Sequence, residues 1–135
     1  MINDTDKAVT LEFPDAETAY AGAPSVIGEI GWVAEQAALR PIGVQLGREF
    51  WLRKAAVLDR IALNEVAEYS AEVAEDAVQA AASAALRLIE FDEQNHNDSG
   101  RSGPGSLRFW DPIVGAGRRA YVRQQYLSWS LSQGS

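Results

Sequence analysis

Five carboxylates, Glu65, Glu68, Glu72, Glu75 and Asp76, follow one another at intervals of one to four residues. A hard divalent cation needs several oxygen ligands converging on one point, so metal-assisted chemistry is the first reading of such a run. If one helix continued unbroken through Ser70, all five would fall within an arc of roughly 100°. The same arc contains Gln79, Ser83, Glu90 and Gln94. It lies opposite Val73, Ala77, Ala81, Ala84 and Leu88. That is the polar side of an amphipathic helix, and no second acidic pair stands on another helix to complete a cage. The preferred reading is a solvated face, with Glu68, Glu72, Glu75 and Asp76 kept as the ligands of an alternative, divalent-metal-dependent enzyme or sensor.

The spacing of these acids is similar to the ExxE pairs of helical nucleotide pyrophosphatases, in which facing acidic helices hold magnesium; the likeness stops at the spacing. Phe50-Trp51-Leu52-Arg53-Lys54-Ala55-Ala56 and Tyr121-Val122-Arg123-Gln124-Gln125-Tyr126 look like marks of a compact bacterial family, and no named activity attaches to them. His96 is the sole histidine. With Asp98 and Ser99 it has the residue types of a nucleophilic triad. Three neighbours in one polar loop, however, cannot be held in the geometry that chemistry requires. Ser102-Gly103-Pro104-Gly105-Ser106 follows no strand and lacks the Gly-Lys-Ser/Thr end of a phosphate loop.

Two groups of residues suit recognition better than reaction. Lys54 projects between the Phe50/Ile61 and Trp51/Leu58 sides of a hydrophobic helix, where an ammonium must snorkel outward or find an anion. Arg118, Arg119 and Arg123 with Tyr121 and Tyr126 form a basic-aromatic cluster of the composition found at interface hot spots. Its plainest structural role is intramolecular pairing with the acidic third helix. Trp51, Lys54, Arg118, Arg119, Tyr121, Arg123 and Tyr126 are therefore the candidate partner-binding residues, with no catalytic residue assigned.

The elements that must position these groups are helical. The segment 1–22 reads as a mobile acidic lead, with Val9–Phe13 alternating as a short strand would before Pro14 stops it. A first helix starts near Pro24 or Ser25 and ends by Arg40, ahead of Pro41 and Gly43. Val26, Ile30, Val33 and Ala37 form its apolar stripe, with Glu29 and Gln36 facing away. Gly28 and Gly31 weaken it and let another backbone come close. The second helix runs from about Leu46 to Leu63, apolar over a broad arc, with Glu49 and Arg53 an (i, i+4) pair on its polar side. After an acidic link, Asn64 to Ser70, with Ser70 as N-cap, an alanine-rich third helix continues to about Asp92. A flexible loop, 95–112, pinned by Phe109-Trp110, precedes a last helix from about Gly117 to Leu131.

Composition bounds the rest. At 135 residues the chain has the length of one domain with a real core. It has no cysteine, which excludes disulfides and thiolate chemistry. Residues 101–135 carry five arginines against Asp111, a balance of +4 inside a chain of net charge −7. Overall acidity argues against nucleic acid as a partner, because phosphate neutralisation needs a positive surface. No secretory signal or membrane span is read, so the cytoplasm is the expected compartment. The sequence thus predicts a mainly α protein, an irregular four-helix bundle with residues 23–135 as a single helical domain. Its expected function is that of a non-enzymatic regulatory or adaptor module that binds another protein or itself as a homodimer, without a cofactor. The alternatives are the metal-dependent helical enzyme or sensor, and an antitoxin or immunity protein whose acidic surface neutralises a basic partner.

Overall fold

The computed structural model of the chain describes residues 14–99 and 114–133, with only the backbone given for 96–99 and 114–116. It is mainly helical, with no strand among the described residues. In order the helices are α1 (Ala16–Ala19), α2 (Val26–Leu39), α3 (Arg48–Glu68), α4 (Ala71–Ser99) and α5 (Val114–Gln133). The proposed strand at Val9–Phe13, the pinning pair Phe109-Trp110 and the Ser102–Ser106 segment lie outside the described residues.

Short polar side chains set the helix starts. Asp15 accepts from the Thr18 amide at 2.8 Å, Ser25 from Gly28 at 3.0 Å and Ser70 from Val73 at 3.3 Å, each satisfying an amide with no intrahelical acceptor. Pro41 ends α2, and the turn after it uses Gly43 at φ 87°, a left-handed conformation that glycine adopts without steric cost. The α3–α4 connection is tighter than expected. No breaker interrupts Asn64 to Glu68, so α3 runs on to Glu68 and the anticipated link shrinks to Tyr69 and Ser70. The acidic run is therefore split between two helices. So short a link folds α4 back along α3, and this pair makes the most extensive helix contact in the chain.

Two further expectations change. The helix expected to end near Asp92 continues to Ser99, taking in Asn95, His96 and Asp98, and the Asn95 side chain donates to the Phe91 carbonyl at 2.7 Å. The segment 14–22, read as part of a mobile lead, is instead packed: Pro14 and Ala19 are buried and α1 contacts α5.

The core lies where α5 crosses the α3–α4 pair. Leu52, Ala55 and Ala56 of α3 meet Ala84, Ala85, Leu88 and Ile89 of α4, and Tyr121, Val122 and Tyr126 of α5 fill the space the alanines leave. Thin alanine faces permit close helix approach, and the large tyrosine rings restore interior density. Tyr126 also packs edge-on against Tyr20, with ring centroids 5.3 Å apart.

Helix α2 is turned about its axis from the expected orientation, with Val26 and Val33 of the expected stripe still half-buried and Ala37 exposed. Glu29, expected to face away, is 1% exposed, whereas Ile30, expected in the core stripe, is 44% exposed. The physical reason is Arg53 on α3. Its guanidinium binds both Glu29 carboxylate oxygens, and a charged pair at the α2–α3 contact outweighs the burial of one isoleucine.

Candidate functional site

Three buried carboxylates organise the polar interior. Asp59, with no exposed surface, sits on α3 between the apolar positions Ala55, Ala56 and Ala62. It accepts from the Tyr20 hydroxyl at 2.7 Å, Arg119 Nε at 2.5 Å, Arg123 Nε at 2.7 Å and Arg123 Nη2 at 3.0 Å. Burial alone would raise the Asp59 carboxyl. The hydrogen bonds from Arg123 and Tyr20, the Arg123 charge and the Arg119 bond together outweigh it and hold the group below the usual carboxylate value. Burial, then the Asp59 charge and hydrogen bond, drive the Tyr20 phenol strongly upward.

Asp92, on the core side of α4, is gripped by Arg48 through Nε at 2.7 Å and Nη2 at 2.8 Å, and by the Tyr121 hydroxyl at 2.6 Å. Arg48 Nη2 continues to Gln125 at 2.8 Å, so one side chain ties the start of α3 to α4 and α5. Burial, then the bond and charge of Asp92, raise the Tyr121 phenol. The third carboxylate is Glu29. Arg53, besides binding it, reaches Glu49 at 2.8 Å, which is the pair expected from their spacing. Its guanidinium lies 3.7 Å from the Trp32 ring centroid and 5.4 Å from that of Trp129, a cation between two indoles.

These clusters have the residue types of acid–base chemistry but not its availability. Asp59 accepts four hydrogen bonds and Asp92 three, chiefly from arginine, so both buried carboxylates are already engaged within the chain. Their work is to fix which helix lies against which. Arg119 and Arg123 are thus paired within the chain, though with Asp59 of α3 and not with the acidic face of α4. Tyr121 and Tyr126, expected as contact residues, are 2% and 1% exposed and belong to the core. Arg118 is half-buried.

The acids of the metal alternative lie elsewhere. Glu68 ends α3, Glu72, Glu75 and Asp76 lie on α4, and all four are exposed. An open cleft at this elbow is lined by Val66, Ala71, Glu72, Ala74, Glu75 and Val78. Among the described residues no group of three or more histidines and carboxylates is placed to hold a metal ion.

Trp51 and Lys54 remain at the surface, and a third residue joins them. Trp51 is half-buried and its Nε1 donates to the Leu46 carbonyl at 3.3 Å, which fixes the ring plane. Lys54 Nζ lies 5.7 Å from the Trp51 ring and 5.8 Å from Phe50, and Arg87 of α4 brings its guanidinium to 5.6 Å from the Trp51 ring. Neither Lys54 nor Arg87 makes an ion pair with a described carboxylate. Beside them opens a cleft of about 230 Å³ lined by Gln45, Trp51, Arg87, Glu90, Phe91 and Gln94. Arg87 carries no signal in the sequence that would join it to Trp51, since only the α3–α4 hairpin brings the two together.

No protein-family model matches the chain, and comparison with curated proteins and with solved structures likewise finds no match.

Proposed function

We propose that this chain is a non-enzymatic adaptor or regulatory module that recognises an acidic segment of another protein at the Trp51–Lys54–Arg87 surface. The observation that carries this reading is the placement of two cations beside one indole, neither of them in an ion pair with a carboxylate among the described residues. A cation over a ring keeps most of its charge available to an incoming anion. The amides of Gln45 and Gln94 line the same cleft and can donate to a carboxylate, while Phe91 and the indole offer an apolar wall. Glu90, which also lines the cleft, would repel a partner carboxylate set against it, which fixes register as well as affinity. A rigid indole beside charged side chains has the anatomy of an interface anchor.

The test uses a fluorescently labelled peptide alternating glutamate with leucine, titrated with the full chain and followed by anisotropy. Charge reversal by Lys54→Glu or Arg87→Glu, or removal of the ring by Trp51→Ala, should weaken binding about tenfold or more, roughly 1.4 kcal/mol or above. Glu75→Lys on the far part of α4 should not. Absence of saturable binding, or equal binding by all variants, would overturn the reading.

A further inference from the structure

The two walls of the Trp51 cleft come from different stretches of chain. One is the approach to α3: Gln45 lines the cleft, the Leu46 carbonyl accepts from Trp51 Nε1, and Trp51 stands in the first turn of the helix. The other is α4, where Arg87, Glu90, Phe91 and Gln94 share an arc of about 100°. Residues 41–45 are exposed throughout, so packing does little to hold the first wall. Capping does not hold it either. Asp15, Ser25 and Ser70 cap the helices they precede, whereas α3 starts on Gly47, which has no side chain to offer.

Arg48 takes over that task. It is the first residue of α3, and its Nε and Nη2 atoms bind the two oxygens of Asp92 at 2.7 and 2.8 Å. Asp92 follows Phe91 in α4 and is buried on the core side of the cleft-lining arc. The Tyr121 hydroxyl at 2.6 Å and Gln125 at 2.8 Å brace the pair from α5. A two-nitrogen bridge from guanidinium to carboxylate fixes orientation as well as distance. It ties the stretch carrying one wall to the helix carrying the other.

We infer that Arg48 is a positioning residue for the Trp51 cleft: through its bridge to Asp92 it holds the Gln45–Leu46 segment, and with it the indole plane, at a fixed setting against α4. Arg48 itself is not among the residues lining the cleft. Its effect on a partner passes through Trp51 and Gln45, by supplying a preformed site that loses less freedom on binding. The inference rests on the reading of the Trp51 surface as a recognition site, and extends that surface to a buried acid behind it.

Charge separates positioning from simple electrostatics. Asp92→Asn removes a negative charge and frees Arg48, whose side chain is 38% exposed, to act as a further cation. If charge alone governed binding, an acidic peptide would bind this variant more tightly. If the bridge positions the cleft, the peptide binds more weakly, by about fivefold, the scale of a change at a residue that touches no ligand.

The experiment pairs that affinity with fluorine NMR of the full chain, its four tryptophans replaced by fluorotryptophan, recorded without peptide. Trp51→Phe and Trp32→Phe each remove one signal and so assign it. Asp92→Asn and Arg48→Gln should both displace or broaden the Trp51 signal while leaving that of Trp32, on α2, in place. Tyr20→Phe, which loosens the Asp59 cluster, should leave the Trp51 signal and the affinity unchanged. Should Asp92→Asn fail to fold, Arg48→Lys, which keeps the charge and loses the two-nitrogen grip, replaces it. A Trp51 signal unmoved in these variants, or tighter peptide binding by Asp92→Asn, would overturn the inference. Because the signal is read on the free chain, its displacement supports the positioning even where the wild type binds no peptide and the recognition reading fails.

Discussion

The Tyr20 hydroxyl donates a 2.7 Å hydrogen bond to Asp59, a residue 39 positions away in the chain and wholly buried. The bond joins the segment before α2 to the middle of α3, and Arg119 and Arg123 of α5 reach the same carboxylate. One acid thus holds three separate stretches of chain.

Removing that acid should be costly. Asp59→Ala leaves two guanidinium groups without their anion, and breaking one side of a buried ion pair typically costs about 3–5 kcal/mol. Tyr20→Phe removes one bond to a charged acceptor and should cost about 1.5–3 kcal/mol. Urea denaturation monitored by circular dichroism checks both, and the order Asp59→Ala below Tyr20→Phe below wild type is the expected result.

The same carboxylate sets an acid limb. Its folded-state value lies below that of the unfolded chain, so the stability it contributes is complete above about pH 4 and is lost as pH falls through the folded value. Denaturation midpoints measured between pH 6 and pH 2 should fall more steeply for wild type below pH 4 than for Asp59→Asn.

Burial and carboxylate contacts raise the phenols of Tyr20 and Tyr121. A raised folded-state value means stability present below the unfolded value of about 10 and lost as pH rises through the folded one. The tyrosinate absorbance of these two residues should therefore develop together with loss of helix, and not before it, in an alkaline titration.

Arg53 should not be replaceable by lysine. Its planar guanidinium binds Glu29 through two nitrogens, reaches Glu49 and lies against Trp32 and Trp129, and a lysine ammonium reproduces none of that geometry. Arg53→Lys should cost about 2 kcal/mol, the scale of a desolvated cation–π contact. It should also change the tryptophan emission, and unaltered stability and emission would contradict the assigned contacts.

Much of the fold could be read in advance because it is local. Ser25 and Ser70 announce helix starts, Glu49 and Arg53 stand at pairing distance, and the polar flank of α4 from Glu72 to Gln94 follows from helical periodicity. The buried acids carry a subtler local trace. Asp59 is in phase with Leu52, Ala55, Ala56 and Ala62, and Asp92 with Ala74, Ala81, Ala85 and Leu88, so each stands in an apolar stripe where an acid requires a partner. Which partners they take, Tyr20, Arg48 and the α5 arginines, depends on helix packing that no local pattern encodes. The orientation of α2 eluded periodicity for the same reason. An isoleucine and a glutamate competed for the interior, and Arg53, 24 residues from Glu29, decided for the acid.

Recognition at Trp51 is tested most directly by the salt dependence of acidic-peptide binding to the full chain. Affinity should fall steadily as sodium chloride rises and should be lost in Lys54→Glu. Affinity that is flat or rising with salt, or that survives Lys54→Glu, would contradict the account.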